Sequence, residues 1–74
     1  MNAAQCRMAR AATGLGVRNL ARLASVSPDT VARLESGAEL KEATIASIRA
    51  ALEAAGVVFL PENGNGPGVA LRKG

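Results

Sequence analysis

The stretch SVSPDTVARLESG, residues 25–37, decides the fold of this chain. Ser27 can cap a helix, because its side-chain oxygen can accept a hydrogen bond from a free backbone N–H of the first turn. Pro28 suits the first helical position, where no N–H is needed and φ is already set. Val31 and Leu34 are spaced to share one buried side. The stretch therefore predicts a short, well-capped helix with one apolar side.

The outer side of this helix, predicted over residues 28–36, is polar, and Gly37 offers a left-handed stop. The residues expected to face away from the core are Asp29, Thr30, Ala32, Arg33 and Ser36. A short helix with a polar outer side and an arginine is what the major groove of DNA admits. Caps and apolar spacing also occur in any small helical bundle, so this segment alone leaves both interpretations open.

A second helix is predicted directly before this stretch. Its apolar positions recur at the helical spacing i, i+3, i+4 and i+7, at Val17, Leu20, Ala21 and Ala24. A three-residue turn follows, and its apolar Val26 is expected to fill the gap between two crossing helices. Two short helices joined by so few residues are typical of a helix-turn-helix unit.

Two further helices flank this unit. The first is predicted over residues 3–13 and ends at Gly14, with apolar positions at Cys6, Ala9 and Ala12. After a loop, the last is predicted over residues 44–55 and stops at Gly56. Its expected core residues are Ile45, Ile48 and Leu52. Residues 1–56 are thus predicted to form one all-α domain of four to five short helices.

Residues 57–74 form a C-terminal β element in this interpretation. Two short apolar runs flank the turn-forming segment PENGNGP and predict two strands that can pair as a hairpin. A lone hairpin is marginal in water, so it either packs on the helices or pairs with a second protomer. We favour dimerisation, through Val57, Phe59, Leu60, Val69 and Leu71, with Phe59 as the anchor. Alternatively, Arg72 and Lys73 form a basic end that touches the DNA backbone.

Residues 5–56 resemble the phage repressor and Cro family of helix-turn-helix domains, often called XRE-like. The resemblance rests on Arg10, on Gly14-Leu15, and on the runs NLARLASVS, TVARLESG and TIASIRAAL, in the right order over about two thirds of the chain. It implies that the helix starting near Pro28 is the recognition helix, which enters the major groove. It also implies a structural ion pair between Arg10 and Glu35.

Two sets of DNA contacts are predicted from this resemblance and from the positions of the basic residues and helix N-termini, although Lys41 can equally be a solvated loop charge. The residues assigned to base edges are Pro28, Asp29, Thr30, Ala32 and Arg33. The residues assigned to the DNA backbone are Val17, Arg18, Arg22, Ser27, Ser36, Lys41 and Thr44.

The chain departs from the family pattern at two places. Gly16-Val17 replaces the Ser/Thr-Gln pair with which the second helix often begins, so Arg18 and the uncapped helix N-terminus are the expected phosphate contacts. Ser25 replaces the usual glycine of the turn. A serine with positive φ is expected to cost about 1–2 kcal/mol.

Charge and size support a DNA-binding oligomer. Residues 1–34 carry five arginines and one aspartate, a net charge of +4, whereas residues 35–74 carry four basic and five acidic residues, a net charge of −1. The basic half contains the helix-turn-helix, as a phosphate-binding surface requires. Only 1% of the 74 residues are aromatic, so a small aliphatic core is expected to be marginal in a monomer.

The sequence offers few residues that could carry out catalysis. The chain has no His, Tyr or Trp and a single cysteine, Cys6, which is predicted to be buried filler. No cluster has metal-ligand spacing, so we predict no metal, no cofactor and no enzymatic activity. No run is long enough to span a membrane, and the start does not match a signal peptide. We therefore expect a cytoplasmic protein.

The sequence as a whole predicts a homodimeric transcriptional regulator that binds palindromic operators, with half-sites about 34 Å apart. One alternative is an antitoxin, which represses its own operon while its C-terminal segment binds a toxin. A second alternative is a protein-binding module that has lost contact with DNA.

Overall fold

A computed structural model describes residues 1–61, 64 and 66–72. The elements, in chain order, are α1 (Ala3–Thr13), α2 (Val17–Ala24), α3 (Pro28–Glu35), α4 (Glu42–Ala54), β1 (Val57–Leu60) and β2 (Gly68–Leu71). The predicted fold class, a small helical bundle with a C-terminal hairpin, is confirmed.

The first helix has a capping interaction at each end. The Asn2 side chain accepts a hydrogen bond from the Gln5 backbone N–H at 2.8 Å, and the Gln5 side chain accepts one from the Asn2 N–H at 3.0 Å. Gly14 ends the helix with φ of +75°. Cys6 and Ala9 are buried as predicted. The prediction for Ala12 is wrong: it is exposed, because the side of α1 that meets the core is narrow.

The turn between α2 and α3 has the geometry that the sequence predicts. Ser25 adopts φ of +58° and ψ of +40°, the left-handed region that disfavours any residue with a Cβ. The Val26 N–H donates to the Ala21 carbonyl at 2.9 Å, which closes the turn onto α2. The Val26 side chain is partly buried and packs against the core.

The last helix begins at Glu42, two residues before the predicted start at position 44. The carboxylate of Glu42 in the first turn is favourable at the positive end of this helix. Ile48 and Leu52 are fully buried, as predicted, whereas Ile45 packs against the core and is only partly buried.

The hairpin pairs within the protomer. β1 and β2 are antiparallel, with Val57 opposite Leu71 and Phe59 opposite Val69. It packs on α1 and α4, and its Val57 joins a core whose largest fully buried members are Leu20, Val31, Ile48 and Leu52. The Gln5 amide donates to the Gly68 carbonyl at 3.3 Å and ties β2 to α1. Lys73, one half of the predicted basic end, lies outside the described residues.

Candidate nucleic-acid interface

The recognition helix predicted from the sequence is α3, and its start is held by its own side chains. The Ser27 hydroxyl accepts the Thr30 backbone N–H at 3.2 Å and lies 2.8 Å from the Thr30 hydroxyl. Pro28 occupies the first turn, as predicted. Because these caps satisfy the helix start locally, the first turn of α3 is ordered without help from a ligand.

The outer side of α3 is open to solvent. Pro28, Asp29, Ala32 and Arg33 are exposed, and Thr30 is half-buried. Within the described residues, the side chains of Asp29 and Arg33 have no ion-pair partner. The Arg33 guanidinium is therefore available to a ligand, and it can donate two parallel hydrogen bonds to a guanine edge.

Two depressions flank α3. One is lined by Arg18 and Arg22 of α2, by Pro28, and by Ala21 and Val26 beneath them. It brings two predicted phosphate contacts to the same side of the recognition helix. A concave surface with two guanidinium groups at its rim is suited to a backbone phosphate.

The other depression lies between α3 and the start of α4. It brings together five residues that the sequence assigns to DNA, namely Ser27, Thr30, Arg33, Lys41 and Thr44. Glu39 and Leu40 complete the lining with Val26, which lies in both depressions. The sequence reasoning did not assign Glu39 to this surface. A carboxylate here repels phosphates and can accept a hydrogen bond from a base amino group.

Four of the assigned DNA contacts line neither depression: Val17, Asp29, Ala32 and Ser36. Val17 packs partly buried against the core, so only its backbone N–H at the start of α2 can meet a phosphate. The Ser36 hydroxyl donates to the Arg33 carbonyl at 2.9 Å and serves the end of α3. Asp29 and Ala32 remain exposed on the outer side of the helix.

Two helix N-termini border the same surface. Gly16 caps α2 and Lys41 caps α4, and neither cap position supplies a side-chain hydrogen bond to the helix. The first backbone N–H groups of both helices are consequently free of side-chain caps, and they carry the positive end of the helix dipole. These groups suit phosphates on the two sides of α3.

The inner side of α3 is anchored to α1 through Glu35. The Arg10 Nε and Nη2 atoms donate to the two carboxylate oxygens of Glu35 at 2.6 and 2.8 Å, which is the ion pair that the resemblance implies. Arg10 also donates to the Leu15 carbonyl at 3.3 Å, and Arg7 donates to the Glu35 backbone carbonyl. Glu35 therefore fixes the end of α3 relative to α1, and its partner Arg10 also contacts the loop before α2.

A third donor reaches the same carboxylate. The Cys6 thiol lies 3.2 Å from Glu35 Oε2, a contact that the sequence reasoning missed when it assigned Cys6 to apolar filling. The available signal was spacing, since Cys6 and Arg10 are one helical turn apart on the same side of α1.

The protonation of this cluster follows from its geometry. The hydrogen bond from Arg10 lowers the pKa of Glu35, although burial works in the opposite direction. The same bond raises the pKa of Arg10. Burial, followed by the hydrogen bond to Glu35, raises the pKa of the Cys6 thiol to about 12. Glu35 is thus an anion and Cys6 a neutral thiol at neutral pH.

The residues assigned to dimerisation are divided between two environments. Val57 is 1% exposed within its own protomer, and Phe59 and Val69 pack against the same core. The Phe59 ring also lies 4.9 Å beneath the Arg49 guanidinium. Leu60 and Leu71 are exposed. A dimer contact through Val57 would therefore require the core to open, whereas Phe59 and Val69 are only partly buried.

Other kinds of site are not evident in the described part of the chain. Over residues 1–61, 64 and 66–72, no three His, Cys, Asp or Glu side chains lie close enough together to hold a metal ion. None of the helices described is long and apolar enough to cross a membrane.

Comparison with known proteins agrees with this geometry. Residues 3–58 match a family model described as a helix-turn-helix domain, which represents XRE-like DNA-binding domains. No curated protein matches the chain. The matched range covers all four helices and the first residues of β1, and so includes every residue that lines the two depressions.

Proposed function

This chain belongs to the helix-turn-helix family of XRE-like DNA-binding domains, and we propose that it is a transcriptional regulator that binds palindromic operators as a homodimer. The recognition helix α3 enters the major groove, and each protomer reads one half-site. It acts in the cytoplasm and needs no cofactor for this activity.

The observation that carries the proposal is the convergence of cationic and hydroxyl side chains on both sides of α3. Arg18 and Arg22 line one depression, and Arg33 and Lys41 line the other. A helix flanked by two surfaces suited to phosphates is the arrangement that a major groove between its two DNA backbones requires.

Base reading is assigned to the exposed side of α3. Arg33 donates to guanine, Thr30 contacts a base edge or an adjacent phosphate, and Pro28 and Ala32 offer apolar contact to a thymine methyl group. Asp29 accepts from a cytosine amino group, because a carboxylate elsewhere on this surface would be repelled by phosphates.

Contacts with the DNA backbone are assigned to the residues that flank α3. Arg18, Arg22 and Lys41 neutralise phosphates, while the N–H groups at the starts of α2 and α4 donate to them. Ser27 and Thr44 add hydroxyl contacts, and Val17 contributes through its backbone. These contacts supply affinity and salt dependence, and they supply little sequence preference.

The test is selection of duplexes from a random pool by the wild-type protein, by Arg33→Ala and by Arg49→Ala. Arg49 is an exposed arginine on α4 that pairs with Glu53 and lines neither depression. Arg33→Ala is expected to lose about 1–3 kcal/mol of preference at one base position per half-site. Arg49→Ala should select the same sequences as the wild type.

Arg18→Ala separates phosphate contact from base contact. It should weaken binding to selected and scrambled duplexes alike and lower the slope of log affinity against log salt by about 1. Unchanged selection by Arg33→Ala would contradict the assignment of α3 as the reading helix. A wild-type protein that enriches no sequence would contradict sequence-specific regulation altogether.

An antitoxin role is the second candidate, favoured by the exposed apolar side chains of the hairpin, Val58, Leu60 and Leu71. In that role the same domain represses its own operon and the hairpin binds a toxin. Co-expression with each neighbouring gene would test it. A neighbouring product that stops growth alone, and is neutralised by this chain but not by its Leu60→Lys variant, supports the role.

A further inference from the structure

We propose that Glu39 is a specificity-determining residue, whose carboxylate accepts a hydrogen bond from the amino group of a cytosine in the major groove. Glu39 lies outside the recognition helix, in the loop between α3 and α4. This role rests on the proposed function, because the loop belongs to the same DNA-binding surface. The cytosine is expected in the same part of the half-site as the guanine that Arg33 contacts.

Glu39 lines the depression between α3 and the start of α4. Arg33 and Lys41 line the same depression, so one acidic side chain lies among two basic ones. Among the residues that the structure describes, Glu39 is exposed and has no ion-pair partner, and the same is true of Arg33. An unpaired carboxylate and an unpaired guanidinium therefore border the same open space.

The backbone of the loop is fixed on both sides of Glu39. The Ala38 N–H donates to the Arg33 carbonyl at 3.0 Å, and Gly37 has φ of +91°. These are the features of a Schellman motif, which ties the end of α3 to the residues that follow it. Directly after Glu39, the Leu40 side chain packs partly buried against the core. Glu39 is thus held at a fixed position relative to Arg33, as contact with a base requires.

A carboxylate on a surface that binds DNA needs a hydrogen-bond donor from the DNA. Phosphate oxygens are negatively charged acceptors, so they attract Lys41 and repel Glu39 in the same depression. The donors that the major groove offers are the amino groups of cytosine and adenine. A base amino group is therefore the DNA partner that suits the Glu39 carboxylate.

The pattern of donors and acceptors favours cytosine over adenine. Adenine carries the acceptor N7 beside its amino group, and an ionised carboxylate, which can only accept, has no donor to offer that atom. Cytosine presents its amino group without an acceptor of its own in the major groove. We therefore assign Glu39 to cytosine.

Arg33 and Glu39 together match the two kinds of polar group that G·C pairs present. Guanine offers two acceptors, which suit the Arg33 guanidinium, and cytosine offers one donor, which suits the Glu39 carboxylate. The two side chains line one depression but form no ion pair with each other. Neither side chain therefore has to break a bond to the other in order to bind DNA.

The same carboxylate weakens binding to DNA that lacks the cytosine. On such a duplex Glu39 gains no hydrogen bond and still lies near phosphates, whereas on the operator the hydrogen bond offsets the repulsion. Specificity is a difference between two affinities, and a repulsive group raises it by lowering the affinity for the wrong partner. Glu39 is expected to increase the preference for the operator in this way.

Selection of duplexes from a random pool by the full chain tests the proposal. The variants are Glu39→Ala and, as a matched control, Glu42→Ala, which removes an exposed carboxylate in the first turn of α4 that lines neither depression. Glu39→Ala should lose a preference for cytosine of at least about fivefold at one position per half-site. Glu42→Ala should select the same sequences as the wild type.

Two results of this selection would overturn the proposal. If Glu39→Ala selects the wild-type sequences and binds every duplex more tightly, Glu39 only repels phosphates. If Glu39→Ala loses the guanine preference of Arg33 as well, Glu39 acts on the surface as a whole and makes no contact with a particular base. The proposal requires that the preference for guanine persists, which also shows that the variant is folded.

Removal of the amino group from the DNA tests the contact from the other side. In the selected duplex, the cytosine assigned to Glu39 is replaced by an analogue that lacks the exocyclic amino group. The wild type should lose at least about fivefold in affinity, whereas Glu39→Ala should bind the two duplexes equally. Equal losses for both proteins would mean that the amino group has another partner, and they would overturn the assignment.

Arg33→Ala separates failure of this contact from failure of the proposed function. If Arg33→Ala loses the preference for guanine while Glu39→Ala keeps the preference for cytosine, Glu39 contacts no base and the DNA-binding function stands. If the wild type enriches no sequence, the proposed function fails and the contact fails with it.

Discussion

The recognition helix α3 and the C-terminal hairpin are each half-exposed, but they expose opposite chemistry. The outer side of α3 carries Asp29, Thr30 and Arg33, whereas the outer side of the hairpin carries Val58, Leu60 and Ala70. Water solvates the first surface at little cost, but solvating the second costs about 25 cal/mol for each Å² of apolar area.

The inner sides differ as well. The inner side of α3 is fixed by directional bonds to one residue, Glu35: Cys6 and Arg10 donate to its carboxylate, and Arg7 donates to its backbone carbonyl. The inner side of the hairpin is held by non-directional packing of Val57, Phe59 and Val69. A helix that must present side chains to base edges needs a fixed orientation, whereas a hairpin that only covers part of the core does not.

The largest expected effect is loss of the Glu35 cluster. Glu35→Ala leaves Arg10 without its partner, and the domain should lose about 3 kcal/mol of unfolding free energy, as when one member of a largely buried pair is removed. Glu53→Ala is the matched control, since the Arg49–Glu53 pair is 44% exposed on both sides and is worth under about 0.5 kcal/mol. Urea unfolding measures both values. Equal losses would mean that the cluster does not fix α3.

Two adjacent valines, Val57 and Val58, test which face of the hairpin is buried. Val57→Ala removes two buried methyl groups and should lower the unfolding free energy of the monomer by about 2 kcal/mol. Val58→Ala should change monomer stability by less than about 0.5 kcal/mol, because its side chain is 40% exposed. Urea unfolding of the two variants measures both values. The reverse pattern would show that the hairpin faces are exchanged.

The stability of the protein at alkaline pH tests whether Cys6 is a buried, neutral thiol. The pKa of this thiol is about 12 in the fold and near its ordinary value of 9.0 in the unfolded chain. A raised pKa contributes stability that is fully present below pH 9.0 and is lost as the pH rises towards about 12. At pH 10 the loss should be about 1 kcal/mol, and Cys6→Ala should lack it. Parallel stability curves for the two proteins from pH 8 to pH 11 would contradict the buried neutral thiol.

The smallest expected effect is a gain in stability at the turn. Ser25→Gly relieves a positive φ that costs about 1–2 kcal/mol, and the greater flexibility of glycine in the unfolded chain offsets part of the gain. The net increase should be about 0.5–1 kcal/mol, seen as a higher Tm. Ser36→Gly, at a residue whose φ is −89°, should bring no gain and serves as the control. A lower Tm for Ser25→Gly would contradict the strain assigned to this turn.

The helices could be predicted from the sequence because their signals are local. Ser27 and Pro28 define the start of α3, and the spacing of Val31 and Leu34 defines its buried side. The start of α4 was placed two residues late, because Lys41 and Glu42 form no side-chain cap that a sequence pattern would reveal. The helix propensities of these residues and their interactions with the helix dipole are too small to determine where α4 begins.

The faces of the hairpin could not be predicted because its strands lack polarity. With Val57 and Val58 adjacent and no polar residue to mark the solvent side, either register was possible, and a slip by one residue exchanges the faces. The third donor to Glu35 was missed for a different reason. A cysteine can be apolar filling or a hydrogen-bond donor, and only the distance to the carboxylate distinguishes these roles.

Binding of the protein to the DNA upstream of its own gene tests the central claim most directly. The upstream duplex and a scrambled duplex of equal length should be titrated at two salt concentrations, with the number of protomers per duplex measured by sedimentation. The account predicts tight binding to the upstream duplex only, at two protomers per site, with a preference that persists at the higher salt. Equal weak binding to both duplexes, lost at the higher salt, would contradict it.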